Sequence, residues 1–236
     1  MPEPQHIKAR KGDIAERVVI SGDPARVELL SKLLRPRRLV NRYRGYLTYS
    51  GRFRGEDFTV ACHGIGGPSA AIAVEELVML GARLFVRLGT CGGLLKSMKV
   101  GDLVVATGAG YLGGTLDHYF GGRKIEPRPD ARITELLIEG AAKERLRYHT
   151  GDVFSTDAFY NEKMDFGHGP AKGRYSAVEM ECATVFGLGM LRGVKTGCLL
   201  IVSDNVSQTE PMADAEALRD RAIHAGKIAL TSLRDY

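Results

Sequence analysis

The sequence predicts a single α/β domain, residues 1–236, with a mixed, largely parallel central sheet flanked by helices. Three observations carry this. Short apolar runs alternate with segments of helical periodicity, the pattern of strand–helix units. The apolar runs end abruptly in glycine or polar residues, at Gly22, His63, Gly89, Gly108, Ser155 and Ser203. No internal repeat or linker interrupts the 236 residues, a length that buries a sizeable core without disulfide or metal staples.

Composition narrows the class. An apolar share of 44% with 26% charged residues fits a globular chain rather than a disordered one. The net charge of +5 suits nucleic acid or an anionic small substrate. Cys62, Cys91, Cys182 and Cys198 form no CxxC pair and no zinc spacing, so no metal is expected. The start, Met1 to His6, has no apolar core, and no apolar run is long enough to cross a bilayer. The expectation is a reduced, cytoplasmic protein.

The elements follow in order. Val18-Val19-Ile20 predicts a strand that ends at Ser21-Gly22-Asp23-Pro24. Asp23 suits a helix cap and Pro24 a first helical position, with Val27, Leu29-Leu30 and Leu33-Leu34 at helical spacing. Arg26 lies in the first turn, where a cation opposes the helix dipole unless an anion sits between them. Residues 35–45 are rich in arginine, including Arg44, but only Tyr43 and Tyr46 stand near them as aromatic partners for nucleic acid. Residues 49–53 and 58–62 read as a hairpin, followed by His63-Gly64-Ile65-Gly66-Gly67-Pro68-Ser69 and a helix to Leu80.

Residues 84–93 predict a buried strand running into a glycine turn at Gly89. Arg87 cannot shed its charge, so a buried position demands a permanent anionic partner. Either a bound oxyanion or an internal Asp or Glu satisfies that demand. Thr90 adds a hydroxyl, and the nearby glycines admit a ligand to the backbone. After a strand at 102–107, Gly108-Ala109-Gly110-Tyr111-Leu112-Gly113 matches GxGxxG, with Asp130 about twenty residues on. The dinucleotide reading fails on context, because Gly114, Gly121, Gly122, Pro127 and Pro129 oppose the helix that the motif should open.

Residues 131–146 predict a helix and 148–154 a strand. Phe159 and Tyr160 suit base stacking or core. Residues 161–175 read as a loop and a candidate lid. A helix is expected from Ala177 to Leu191, a strand at 197–202, and a closing helix from Ala215 to Leu233. Glu179 and Glu181 flank Met180. They face one way if the backbone there is extended and diverge if it is helical. A carboxylate accepts two hydrogen bonds and so fits a cis-diol, while paired glutamates also suit a helix start. Asp204, directly after the last apolar strand, suits a general acid or a cap.

These residues together resemble the hexameric nucleoside phosphorylases, the purine and uridine phosphorylases of the nucleoside phosphorylase I group. The resemblance runs over nearly the whole chain: Gly22-Asp23-Pro24 with Arg26, Arg44-Gly45, the His63–Ser69 run, Arg87 to Gly92, Phe159-Tyr160, Val178 to Glu181, and Val202-Ser203-Asp204. It implies an enzyme that splits nucleosides with phosphate as co-substrate and no cofactor. It implies phosphate held by Gly22, Arg26, Arg87 and Thr90, with Arg44 from a neighbouring subunit. Thr90, Met180 and Glu181 would hold the ribose, and a neighbour's His6 would meet its 5′ end. Cys91, Gly92, Phe159, Glu179, Ser203 and Asp204 would surround the base, with Asp204 and Arg87 as the catalytic pair. The implied assembly is a trimer of dimers, with no role for nucleic acid or membrane. Ser203-Asp204 follows the purine branch, whereas Ser207-Gln208-Thr209-Glu210 is closer to the uridine branch. Archaeal relatives in the group also accept methylthioadenosine. The arginine that the purine branch places after the aspartate is replaced by Ala217, with Arg219 and Arg221 nearby.

Overall fold

The computed structural model describes residues 3–160, 173–208 and 211–236. Among the described residues, nine strands and six α-helices follow one another as β1 (Arg17–Ser21), α1 (Pro24–Ser31), β2 (Arg37–Asn41), β3 (Thr48–Phe53), β4 (Glu56–Cys62), α2 (Gly67–Leu80), β5 (Leu84–Gly93), β6 (Leu103–Tyr111), α3 (Thr115–Tyr119), α4 (Ala131–Lys143), β7 (Tyr148–Ser155), β8 (Ala177–Glu179), α5 (Cys182–Arg192), β9 (Lys195–Asn205) and α6 (Arg219–Asp235).

All strands join one mixed sheet in the order β2-β3-β4-β1-β5-β8-β7-β6-β9, and β5 also pairs with β9. The second pairing closes β5, β8, β7, β6 and β9 into a ring, from which β1 to β4 extend as an open arm. Inner strands alternate in period two between two cores. Val18, Ile20, Phe85, Val104 and Leu200 face α2 and α5, while Val19, Val86, Leu88, Val105 and Leu199 face α1, α4 and α6. Helices thus cover both faces, as buried parallel strands require.

β5 is the centre of this plan. Arg17 to Ile20 of β1 pair in parallel with Leu84 to Arg87. On the far end, Gly92 and Gly93 pair antiparallel with β8. Residues 88–91 lie between these two partners, so the edge of β5 is uncovered there. Diverging neighbours at strand carboxyl ends create the crevice in which α/β sheets bind ligands.

Several sequence expectations are corrected. Gly89 is no turn, because β5 continues to Gly93. Residues 177–179 form a strand and the helix begins at Cys182 rather than Ala177. Part of the arginine-rich run is the edge strand β2, where exposed charge discourages pairing with other chains. The last helix begins at Arg219, not Ala215. The glycine motif lies in and beyond β6, and the short α3 follows it. Its glycines make room for protein: side chains there would strike Arg128 at Gly108 and Tyr175 at Gly110. Asp130 caps α4, accepting from the Arg132 and Ile133 amides at 3.0 and 3.1 Å. The lid proposed for 161–175 falls mostly outside the described residues. No described helix is long and apolar enough to cross a membrane.

Phe186 of α5 is fully buried in the core shared with α2. Phe186→Ala should lower the unfolding free energy by about 3–5 kcal/mol, measured by denaturant titration. A cost under about 1 kcal/mol would contradict this packing.

Candidate active site

The uncovered edge of β5 opens into a cavity of about 670 Å³. It is lined by Gly22, Arg26, Arg87, Thr90, Cys91, Gly92, Phe159, Glu179, Met180, Glu181, Ser203 and Asp204, among others. Most of the predicted site residues therefore converge. His6 and Arg44 do not reach it. His6 Nδ1 lies 2.7 Å from Glu76 Oε1, and Arg44 is exposed on the turn Tyr43–Gly45.

Arg87 is 3% exposed and its charge is matched inside the protein. Its Nη2 donates to Glu181 Oε2 and forms an ion pair with Glu179 Oε2 at 2.9 Å. The internal-carboxylate reading of the buried arginine holds, while Nε and Nη1 have no partner among the described residues. The guanidinium folds over Gly89, where an added Cβ would stand 1.7 Å from Nη1. That close approach explains the glycine better than any turn. The two carboxylates raise the Arg87 pKa even against burial.

Each glutamate is fixed by backbone. Glu179 accepts from the Glu181 amide at 2.8 Å and from the Cys182 amide, while Ser155 Oγ donates to its other oxygen. Ser155 also accepts from Ala183 N at 2.9 Å, so Ser155 and Glu179 together cap α5. Glu181 Oε1 accepts from Gly66 N at 2.6 Å. Burial works against the charge of Glu181, yet Arg87 and the other donors keep its pKa below the usual value. Glu179 thus lines the cavity while its oxygens accept from protein groups. Ser155 was anticipated only as a strand end, and no local pattern in the sequence marks its contact with Glu179.

Asp23 caps α1, accepting from Ala25 N at 2.8 Å. One turn on, Arg26 donates to Ser21 Oγ at 3.2 Å and forms no ion pair among the described residues. Burial, with added repulsion from Arg87, lowers its pKa. Asp23 and Glu181 act on Arg26 from a distance without pairing with it, and the Arg87 nitrogens Nε and Nη1 stand unpartnered among the described residues.

Arg87 and Gly92 are five residues apart on one strand, about 16 Å. At the far end, Gly92 pairs in register with Asp204. Asp204 accepts from Ser203 Oγ at 2.7 Å. No cation pairs with it among the described residues: Arg219 pairs with Glu216 at 3.7 Å, and Arg221 lies beside Gly101. Val178, Val206 and Met212 make the surroundings apolar. Phe159 and Tyr160 are 59% and 92% exposed, so neither fills core. Phe159 stands at the mouth. Among the described residues, no cluster of His, Cys, Asp or Glu could hold a metal ion.

A family model described as the phosphorylase superfamily matches residues 16–234. The chain belongs to this superfamily. It is 38% identical to a guanosine phosphorylase of Halorubrum lacusprofundi, over 99% of both chains. It is 36% identical to a uridine phosphorylase of Thermococcus kodakarensis, over 85% of this chain and 76% of the relative. It is also 33% identical to a purine nucleoside phosphorylase DeoD-type of Myxococcus xanthus, over 89% of each. The cavity of this phosphorylase therefore sits on a superfamily scaffold, with the matched span covering every lining residue named above.

His63 lies beneath the anion end. It is fully buried, and neither ring nitrogen has a partner among the described residues. Burial, reinforced by Arg87, holds its pKa down at about 4. The unfolded chain binds this proton near pH 6.5, so stability from neutral His63 is complete above that value and is lost as pH falls toward 4. The group should cost about 3 kcal/mol across that window. In His63→Phe this part of the acid destabilisation should vanish in melting scans. Equal acid sensitivity of both proteins would contradict a neutral, buried His63.

Proposed function

We propose that this phosphorylase cleaves the N-glycosidic bond of ribonucleosides with inorganic phosphate, purine nucleosides preferred, giving free base and ribose 1-phosphate. The observation that carries the reading is the pair of unpaired Arg87 donors beside the unpaired Arg26. Water as nucleophile would need no such cationic pocket. Phosphate is bound by Arg26, Arg87, the Gly22 amide and Thr90. Glu181, held by Gly66 and Arg87, accepts from the ribose hydroxyls beside Met180. Cys91, Gly92, Phe159, Ser203 and Asp204 surround the base.

Phosphate then attacks C1′ as the bond to the base breaks. The sugar gains oxocarbenium character, and the fixed dianion stabilises it. Asp204 offsets charge on the departing base by giving a proton or a hydrogen bond, a contribution of about 10²–10⁴ in rate. Among the described residues, Ser203 Oγ is what orients Asp204. No resident cofactor is needed.

Charge favours an oligomer. Glu179 and Glu181 both pair with Arg87 and leave Arg26 as the one guanidinium there without an ion pair among the described residues, so a phosphate dianion calls for more positive charge. Arg44, exposed and remote from its own cavity, supplies it from a second copy, and His6 follows the same route to the ribose 5′ end. The minimum active unit is then a dimer, within a hexamer built as a trimer of dimers, working in the cytoplasm. The purine preference rests on Asp204 and agrees with the guanosine and purine names of two relatives, while the uridine phosphorylase among them and the methylthioadenosine alternative define the controls.

The test is an assay of inosine, guanosine, adenosine, methylthioadenosine and uridine, each with and without phosphate. Base release should require phosphate and run faster on purine nucleosides than on uridine. Arg26→Ala should raise the phosphate KM about 10- to 100-fold. Base release with free ribose in the absence of phosphate would overturn the reading.

A further inference from the structure

The cysteines are all buried and free, but they differ in what they touch. Cys62 Sγ is 3.4 Å from Gly22 O, and Cys91 Sγ is 3.9 Å from Ile201 O. Cys182 and Cys198 touch each other, Sγ to Sγ at 3.0 Å. That gap is about 1 Å longer than a disulfide bond. Their places in the fold matter more than the gap alone. Cys182 opens α5 directly after Glu181, and its amide is held by Glu179. Cys198 lies on β9 opposite Arg87 in the β5–β9 register. The two sulfurs therefore back the two halves of the buried ion pair, one behind each.

We propose that Cys182 and Cys198 are a covalent modification site, oxidised by a low-molecular-weight disulfide to an intrachain cross-link that fastens the Glu181 turn to the strand opposite Arg87. In the first step one cysteine thiolate attacks the small disulfide, whose S–S bond breaks and releases one small thiolate. In the second, the other cysteine attacks the protein sulfur and releases the second small thiolate. Two S–H bonds are lost and one protein S–S bond forms. Two electrons pass to the small disulfide, and the two protons end on its thiols. Burial pushes the Cys182 thiol well up, so thiolate is scarce in the closed protein. Exchange therefore runs through opening of the first turn of α5 and is slow. The bond closes a loop between positions 16 residues apart and so restricts the unfolded chain. It forms whether or not the proposed reaction is correct, and its test reads mass and stability rather than turnover.

The full-length native protein is incubated with oxidised glutathione or with dithiothreitol, quenched in acid, unfolded and alkylated. After dithiothreitol, all four cysteines should take the label. After oxidised glutathione, only Cys62 and Cys91 should take it, and a linked peptide lighter by two hydrogens should join Cys182 to Cys198. The oxidised wild type should melt about 5 °C above the reduced form, and Cys198→Ala should melt alike in both. Cys182→Ser repeats the comparison from the other partner if Cys198→Ala does not fold. Full labelling after oxidation, glutathione adducts without a cross-link, or a link to Cys62 or Cys91 would overturn the proposal. So would an equal melting shift in wild type and the variants.

Discussion

A single guanidinium, buried between two carboxylates and only half satisfied by them, organises this protein. Burying an ion pair is costly, and its Coulombic gain often does no more than offset the desolvation. Arg87 with Glu179 and Glu181 is therefore a poor device for stability. It is a good device for holding donors in place without a ligand. One nitrogen is committed to the protein, and the others stay oriented in a dry setting where a charged hydrogen bond is strong. Arg26, held by Ser21 Oγ and without an ion pair among the described residues, extends that preorganisation from another element.

The fold exists around this point. β5 is paired along one side by β1 and β8 with a gap between them, and the gap exposes the stretch that follows Arg87. Closing five strands into a ring lets β8 approach β5 from the direction opposite to β1. The residues after β8 then turn into α5, and their amides are satisfied by Glu179 and Ser155 rather than by a cap of the helix itself. Sheet closure, helix capping and charge balance thus fix the position of Glu181 together. His63 shows the other face of the same design: a neutral imidazole tolerates the field of two arginines that an imidazolium would not.

Local chemistry made much of this readable from the sequence. The strand ends at Gly22, His63 and Ser155 were read correctly, while β5, β6 and β9 run on past Gly89, Gly108 and Ser203; Asp23-Pro24 located α1, and a buried arginine demanded an anion. What stayed hidden depends on distant pairing. Arg87 and its carboxylates are about ninety positions apart, so nothing in the local pattern names the partners. Residues 177–179 are too few to show a strand period, which made them read as the start of α5. Gly89 was read as a turn and the Gly108–Gly113 motif as a dinucleotide fingerprint that fails on context, whereas the structure uses the missing side chains as space for Arg87, Arg128 and Tyr175. Phe159 and Tyr160 fitted either core or ligand stacking, and only their exposure separates the two. Ser155 was marked only as a strand end, because nothing local shows that its hydroxyl meets Glu179.

The most direct measurement of the central claim is a crystal structure of the full-length protein with inorganic phosphate. A single phosphate should lie at the uncovered edge of β5, within hydrogen-bond distance of Arg26 and of Nε or Nη1 of Arg87. Phosphate bound elsewhere, with Arg26 and Arg87 turned to separate protein partners, would contradict it.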